Sequence, residues 1–145
     1  MSLFSKAKQV EAVLFSPLEG KLTYKGKPAA NAKITLWTSW KDKTGETDTY
    51  YADEQGDFNI PQKNMTYTPN FLAQLVITQR VTVLFQGQEV DIWKVVKMEE
   101  GPFIELGGRP VNVRCELTHD DKTVRGGGSM GETRCQWDTL EKEMN

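Results

Sequence analysis

The sequence predicts an all-β fold built as a single antiparallel β-sandwich of about eight to ten strands. Three observations carry that prediction. Apolar residues recur at every second position in several stretches, as in Leu22 and Tyr24, in Ala32, Ile34 and Leu36, in Val81, Val83 and Phe85, and in Val111, Val113, Cys115 and Leu117. That is the period of a strand with one buried face. Between the stretches stand Gly26-Lys27-Pro28, Asp53-Glu54-Gln55-Gly56, Gln86-Gly87-Gln88 and Gly107-Gly108-Arg109-Pro110, where glycine admits positive φ and proline cannot donate to a ladder. Finally, 145 residues make one domain, spanning 1–145, long enough to bury a core without a staple.

Residues 1–10 are expected to be an N-terminal arm. Leu3, Ala7, Val10 and Leu14 recur at spacings of three and four, which suits a short helix lying on the sandwich. The first strand begins at 13–15 and is bent by Ser16-Pro17. Residues 20–25 and 32–36 follow as strands around the first glycine-proline turn. A polar turn over 41–46 leads into a strand over 47–52, and the Asp53 carboxylate is expected to accept a backbone N–H two residues on while Gly56 closes the loop into Phe58 and Ile60. Residues 61–70 read as a loop. Residues 71–85 are the most apolar tract, a central strand with a bend near Thr78-Gln79-Arg80, and 89–97 pairs back on it as a hairpin. A short strand is expected over 103–106 and another over 111–117. Residues 119–131, with Gly126-Gly127-Gly128, read as a flexible connector; 133–137 is the last strand, and 139–145 a frayed tail with helical tendency.

Charge excludes some function classes. The first 60 residues hold eight Lys against eight acidic residues, the rest ten basic against twelve acidic, and the net charge is −2. A surface for nucleic acid would show a basic surplus. No stretch is long and apolar enough for a spanning helix, so membrane insertion is not expected. The start carries basic residues without an apolar run after them, so it is not a secretory signal; the expected location is cytoplasmic if the N-terminus is native and periplasmic if a leader has been removed.

No metal or other cofactor is expected. Asp53, Glu54 and Asp57 are turn chemistry without the further oxygen ligands that calcium needs, and two Cys with the single His119 lack zinc spacing. That one His must also serve any nucleophilic triad, and Cys115 stands too close to it along the chain to face it. Cys115 and Cys135 stand twenty residues apart. Two readings stay open: a disulfide closing that loop, or buried thiols, with a cytoplasm favouring the thiols.

The residues Gly20, Gly26-Lys27-Pro28, Ala32, Ile34, Leu36, Ala52-Asp53, Gly56 and Phe58 resemble the pattern of carboxypeptidase regulatory-like domains, transthyretin-like β-sandwich modules related to collagen-adhesin B-type repeats. The resemblance covers about the first 60 residues, and its anchors are turns and core positions. Residues 109–117 and Cys135-Gln136-Trp137 are similar to a family of small freestanding bacterial proteins. The resemblance implies a transthyretin-like or immunoglobulin-like topology and a binding role. The enzymatic branch of that fold, the hydroxyisourate hydrolases, relies on several His, an Arg and a C-terminal Tyr-Arg-Gly-Ser; here there is one His and the chain closes on Leu140-Glu141-Lys142-Glu143-Met144-Asn145, so no catalytic residue carries over.

The expected site is a partner-binding surface formed by Trp37, Trp40, Tyr50 and Tyr51, because a two-residue period cannot hide so many aromatics near one hairpin and exposed aromatics anchor interfaces, together with Tyr67 of the 61–70 loop, long enough for a functional role. The competing expectation is that they cap the core. The function expected from the resemblance is non-catalytic protein binding, in its most concrete form by an immunity-type protein that neutralises a cognate toxin. The alternatives are an accessory module of a secretion or cell-envelope assembly, or a carbohydrate binder using Trp37, Trp40 and Tyr50. A monomer or weak homodimer is expected, since an exposed edge strand can pair two copies.

Overall fold

The computed structural model describes residues 8–40, 44–69 and 74–142. Among them are fifteen short strands and no helix, so the all-β expectation holds. β1 (Val10–Phe15) pairs antiparallel with β7 (Lys63–Tyr67). A five-stranded sheet is centred on β2 (Leu18–Tyr24), which is antiparallel to β3 (Lys27–Pro28) and to β6 (Asp57–Ile60) and parallel to β11 (Val113–Glu116); β11 then pairs with β14 (Cys135–Gln136). The largest sheet is antiparallel throughout. It runs in the order β12 (Lys122–Gly126), β13 (Ser129–Thr133), β9 (Gln88–Lys97), β8 (Ile77–Phe85), β4 (Lys33–Ser39), β5 (Glu46–Tyr51). β10 (Arg109–Val111) pairs with β15 (Thr139–Glu141).

The turns follow the chemistry of their residues. Lys25 and Gly26, at φ 54° and 81°, form the two-residue turn that sets Tyr24 opposite Lys27, the geometry in which both central residues need positive φ. Asp53 Oδ1 accepts the N–H groups of Gln55 and Asp57, each at 2.9 Å, and holds the next turn.

One apolar core draws on both larger sheets. Leu22, Phe58, Ile60 and Val113 come from one, and Ile34, Leu36, Val81, Val83 and Trp93 from the other, all buried. Phe15 of β1 meets Trp93 edge-on at 6.0 Å. Each such side chain contributes about 1.5–3 kcal/mol by leaving water. Between β8 and β9 the register shifts, with Val81 opposite Trp93 and Thr82 opposite Asp91. The extra residue, Ile92, turns inward with Trp93, which is how a bulge places two successive side chains in the core.

Several expectations fail for identifiable reasons. Val10 and Leu14 belong to a strand, since β1 has β7 to pair with; Leu3 and Ala7, the turn residues Lys41 to Lys43 and Phe71 lie outside the described residues. The expected loop over 61–70 contains β7, whose half-buried Lys63, Met65 and Tyr67 alternate with exposed Asn64 and Thr66. No break occurs at Thr78-Gln79-Arg80; β8 continues through, with Gln79 buried and its amide fully engaged. Residues 103–106 are turns instead of a strand, with Phe103 at φ 56° and Glu105 drawn inward. The strand over 111–117 is broken at Asn112, φ 58°, into β10 and β11. The supposed connector over 119–131 is the β12–β13 hairpin at the edge of the largest sheet. In the tail, residues 139–141 are a strand and not a helix.

Candidate interaction surface

Strand alternation decides where each aromatic points, and it divides the five. Tyr50 stands opposite Ile34 and faces inward, half-buried against the core. Burial, reinforced by the neighbouring Asp48 carboxylate, raises its pKa. Trp37 and Tyr51 face outward on the same sheet, Trp37 opposite Thr47 and Tyr51 opposite Lys33. Four residues of β5 separate their rows, roughly 13 Å at strand rise. Trp40 and Tyr67 meet elsewhere, at the β1–β7 end, with ring centroids 5.7 Å apart. Tyr67 Oη donates to Glu100 at 2.8 Å, and this hydrogen bond holds the phenol pKa above its usual value. Trp37, Trp40 and Tyr50 therefore form no common aromatic platform.

The continuous feature is the outer face of the six-stranded sheet. Register aligns Thr47, Trp37, Arg80, Lys94, Glu132 and Thr123 in one row across all six strands. The Arg80 guanidinium lies 5.5 Å from the Trp37 ring, a cation–π contact, and Trp37 Nε1 donates to the Thr44 carbonyl at 3.3 Å, which fixes the ring. The exposed large apolar side chains Tyr51, Leu84 and Met130 belong to the same face, as their partners Lys33, Glu89 and Val96 show. Leu84, Arg80, Lys94 and Met130 escaped the reading of the sequence. Leu84, Arg80 and Lys94 stand on the outward-pointing half of the β8 and β9 alternation, and Met130 on that of β13, a strand hidden among glycines.

The strongest buried electrostatics lie under the loop after β9. The Glu105 carboxylate accepts from Ser16 N at 3.0 Å, Ser16 Oγ at 2.7 Å and Gln79 Nε2 at 2.8 Å. Lys97 Nζ lies 3.7 Å from it and donates to the Gly101 carbonyl at 3.0 Å. Burial lowers the Lys97 pKa, while the adjacent Glu105 pulls it back up. Trp93 Nε1 donates to Gln79 Oε1 at 2.9 Å. Every charged atom here has its partners inside the fold, so the network is a clamp for the loop; the cavity beside it, about 10 Å³, holds at most one water.

A larger groove, about 610 Å³, opens where β10 leaves the line of β11 beside β2. Its rims are ion pairs, Lys21 with Asp57 at 3.6 Å and Arg109 with Glu141 at 3.7 Å. Among the described residues no group of three His, Cys, Asp or Glu could hold a metal ion. The two cysteines face each other across β11 and β14 and are joined as a disulfide, with Cα atoms 4.0 Å apart and no exposed surface. The leaning towards free thiols is thus replaced by the bond. Also among the described residues, no helix is long and apolar enough to cross a membrane.

No curated protein and no solved structure matches the chain. A family model does, that of the domain of unknown function DUF6795, over residues 18–120. The match runs from the start of β2 to just past β11 and includes Trp37, Arg80 and Lys94, and over that length the chain belongs to the DUF6795 family.

Proposed function

We propose that the chain is a non-catalytic protein-binding module on a transthyretin-like β-sandwich, and in its most concrete form a bacterial immunity-type protein that binds and neutralises a cognate toxin. The observation that carries the binding role is the outer face of the six-stranded sheet, which no other described element covers and where Tyr51, Leu84 and Met130 are exposed beside a half-buried Trp37. A face with its aromatic ring fixed by a hydrogen bond and a guanidinium loses little side-chain entropy on docking. The resemblance to small freestanding bacterial sandwiches supports a toxin as the partner. The buried Cys115–Cys135 bond supports an oxidising compartment, and so a periplasmic encounter.

Affinity capture from the source cells with the wild-type chain and with Trp37→Ala, followed by mass spectrometry, tests the binding role. The expected result is one protein retained by the wild type and lost by the variant, with a cost of about 2 kcal/mol or more in affinity. Co-expression then tests the toxin reading: the captured protein should arrest growth alone and not when this chain is present. A partner that is harmless when expressed alone refutes neutralisation and leaves the accessory role in a secretion or envelope assembly. Equal retention by Trp37→Ala removes this face from the interface.

A further inference from the structure

We infer that the outer face of the six-stranded sheet takes an extended segment of a protein partner that carries a carboxylate and an aliphatic side chain two residues apart. The inference rests on the protein-binding reading and names the chemistry of the partner. Arg80 and Lys94 are direct cross-strand neighbours on that face, both exposed. Like charges placed opposite each other in a sheet repel, so the pair is kept at a cost to the isolated fold. Among the described residues no carboxylate lies within ion-pair distance of Arg80. Among the described residues Lys94 has one ion-pair partner, Glu132 at 3.8 Å, and both of those side chains are about half exposed. The Trp37 ring orients the guanidinium from one side and leaves its fork of donors for a planar anion, the geometry in which Arg binds a carboxylate with two hydrogen bonds.

Two residues along each strand, on the same face, Thr78, Val96 and Met130 line a shallow hollow of about 390 Å³ that reaches back to Arg80 and Lys94. The step between the cationic row and this apolar row is roughly 6.6 Å, the side-chain repeat of any extended chain. A carboxylate seated between Arg80 and Lys94 therefore carries the side chain two positions away over Thr78 and Val96, beside Met130. The chain as a whole has a net charge of −2, so attraction of an acidic segment to this spot is a local property of the paired cations. Such local complementarity sets the register and the choice of partner.

The test is an NMR titration of the full isotope-labelled chain with a capped Thr-Leu-Thr-Glu-Thr-Leu-Thr peptide and with the same peptide carrying Lys for Glu. The expected result is movement of the Trp37 indole N–H, the Arg80 Nε–H and the Met130 methyl with the Glu peptide alone. Arg80→Glu should weaken that binding about tenfold or more, while Lys21→Glu, on the other sheet, leaves it unchanged; the tryptophan fluorescence of both variants reports whether they fold. Binding of the Lys peptide to the same resonances overturns the acidic class and leaves the protein-binding face standing. Shifts confined to other residues, an unaffected Arg80→Glu, or silence from both peptides overturns the inference, and the capture experiment then judges the wider reading on its own.

Discussion

Glu116 shows how much a single outward-pointing side chain can hold together. It sits in β11, yet its carboxylate accepts from Thr23 Oγ1 at 3.1 Å, Lys25 N at 3.1 Å, Gly26 N at 2.7 Å, Thr118 N at 2.9 Å and Thr118 Oγ1 at 2.6 Å. Burial alone would raise its pKa, but the Thr118 hydroxyl and the N–H groups of Gly26, Thr118 and Lys25 together lower it to about 2. A depressed folded pKa means stability that is present above the unfolded value near 4.5 and is lost as pH falls towards 2. Because solvent reaches this site, the contribution is discounted to about 1 kcal/mol. Glu116→Gln should thus lower the urea midpoint at pH 7, and the gap from wild type should close between pH 4.5 and 2; a gap independent of pH would assign its effect to packing. Lys97 is the opposite case, an ammonium with no exposed surface. Lys97→Met leaves Glu105 buried without a counter-charge and should cost about 3–5 kcal/mol, whereas adding Glu105→Gln should recover much of that loss. Thermal unfolding of the single and double variants measures the coupling, and additive losses would refute it.

At the scale of elements, alternation made the central strands legible, while the edges were missed wherever their residues looked like punctuation. β13 reads Ser129-Met130-Gly131-Glu132-Thr133, and Ser129 and Thr133 enter the core side because their hydroxyls donate to carbonyls, Thr133 Oγ1 to Ile92 at 2.8 Å and Ser129 Oγ to Glu105 at 2.7 Å. A count of apolar residues cannot register a strand whose inward positions are satisfied hydroxyls. Gly131 is the other half of the explanation. A Cβ there would run into the Lys94 carbonyl and the Val95 Cα of β9, so glycine marks a close backbone approach where composition suggested flexibility. Gly131→Ala should therefore cost about 1–3 kcal/mol by forcing β13 off β9. Gly127→Ala, where an added Cβ meets open space, should be near neutral. Equal urea midpoints for the two variants would sink the close-approach account. The aromatics divide for the same reason: Tyr50 and Tyr51 are adjacent in sequence, so the pleat must send them to opposite faces, and proximity along the chain is no guide to a shared surface.

For the whole molecule the decisive long-range contacts are those that no local pattern encodes. The parallel pairing of β2 with β11, the Lys63 ammonium reaching Glu46 and Asp48 across to β5, and the Cys115–Cys135 bond each join distant stretches. Of these, the disulfide has the widest consequence. It fastens β14 to β11 at the rim of the core, and β15 follows three residues later to pair with β10. Closing a loop of twenty residues removes freedom from the unfolded chain worth about 3 kcal/mol. The double variant Cys115→Ala with Cys135→Ala should lose about that much by urea unfolding. Its amide exchange should quicken first in β15 and β10, whose pairing has three residue partners on each side, while the β4–β8–β9 centre keeps its protection. Native protein should also resist alkylation until reduced under denaturing conditions, since neither sulfur is exposed. Uniform loss of protection across both larger sheets would show that the bond supports the entire core and does not merely hold the C-terminal strands, and modification of native, unreduced protein would show that the bond does not form.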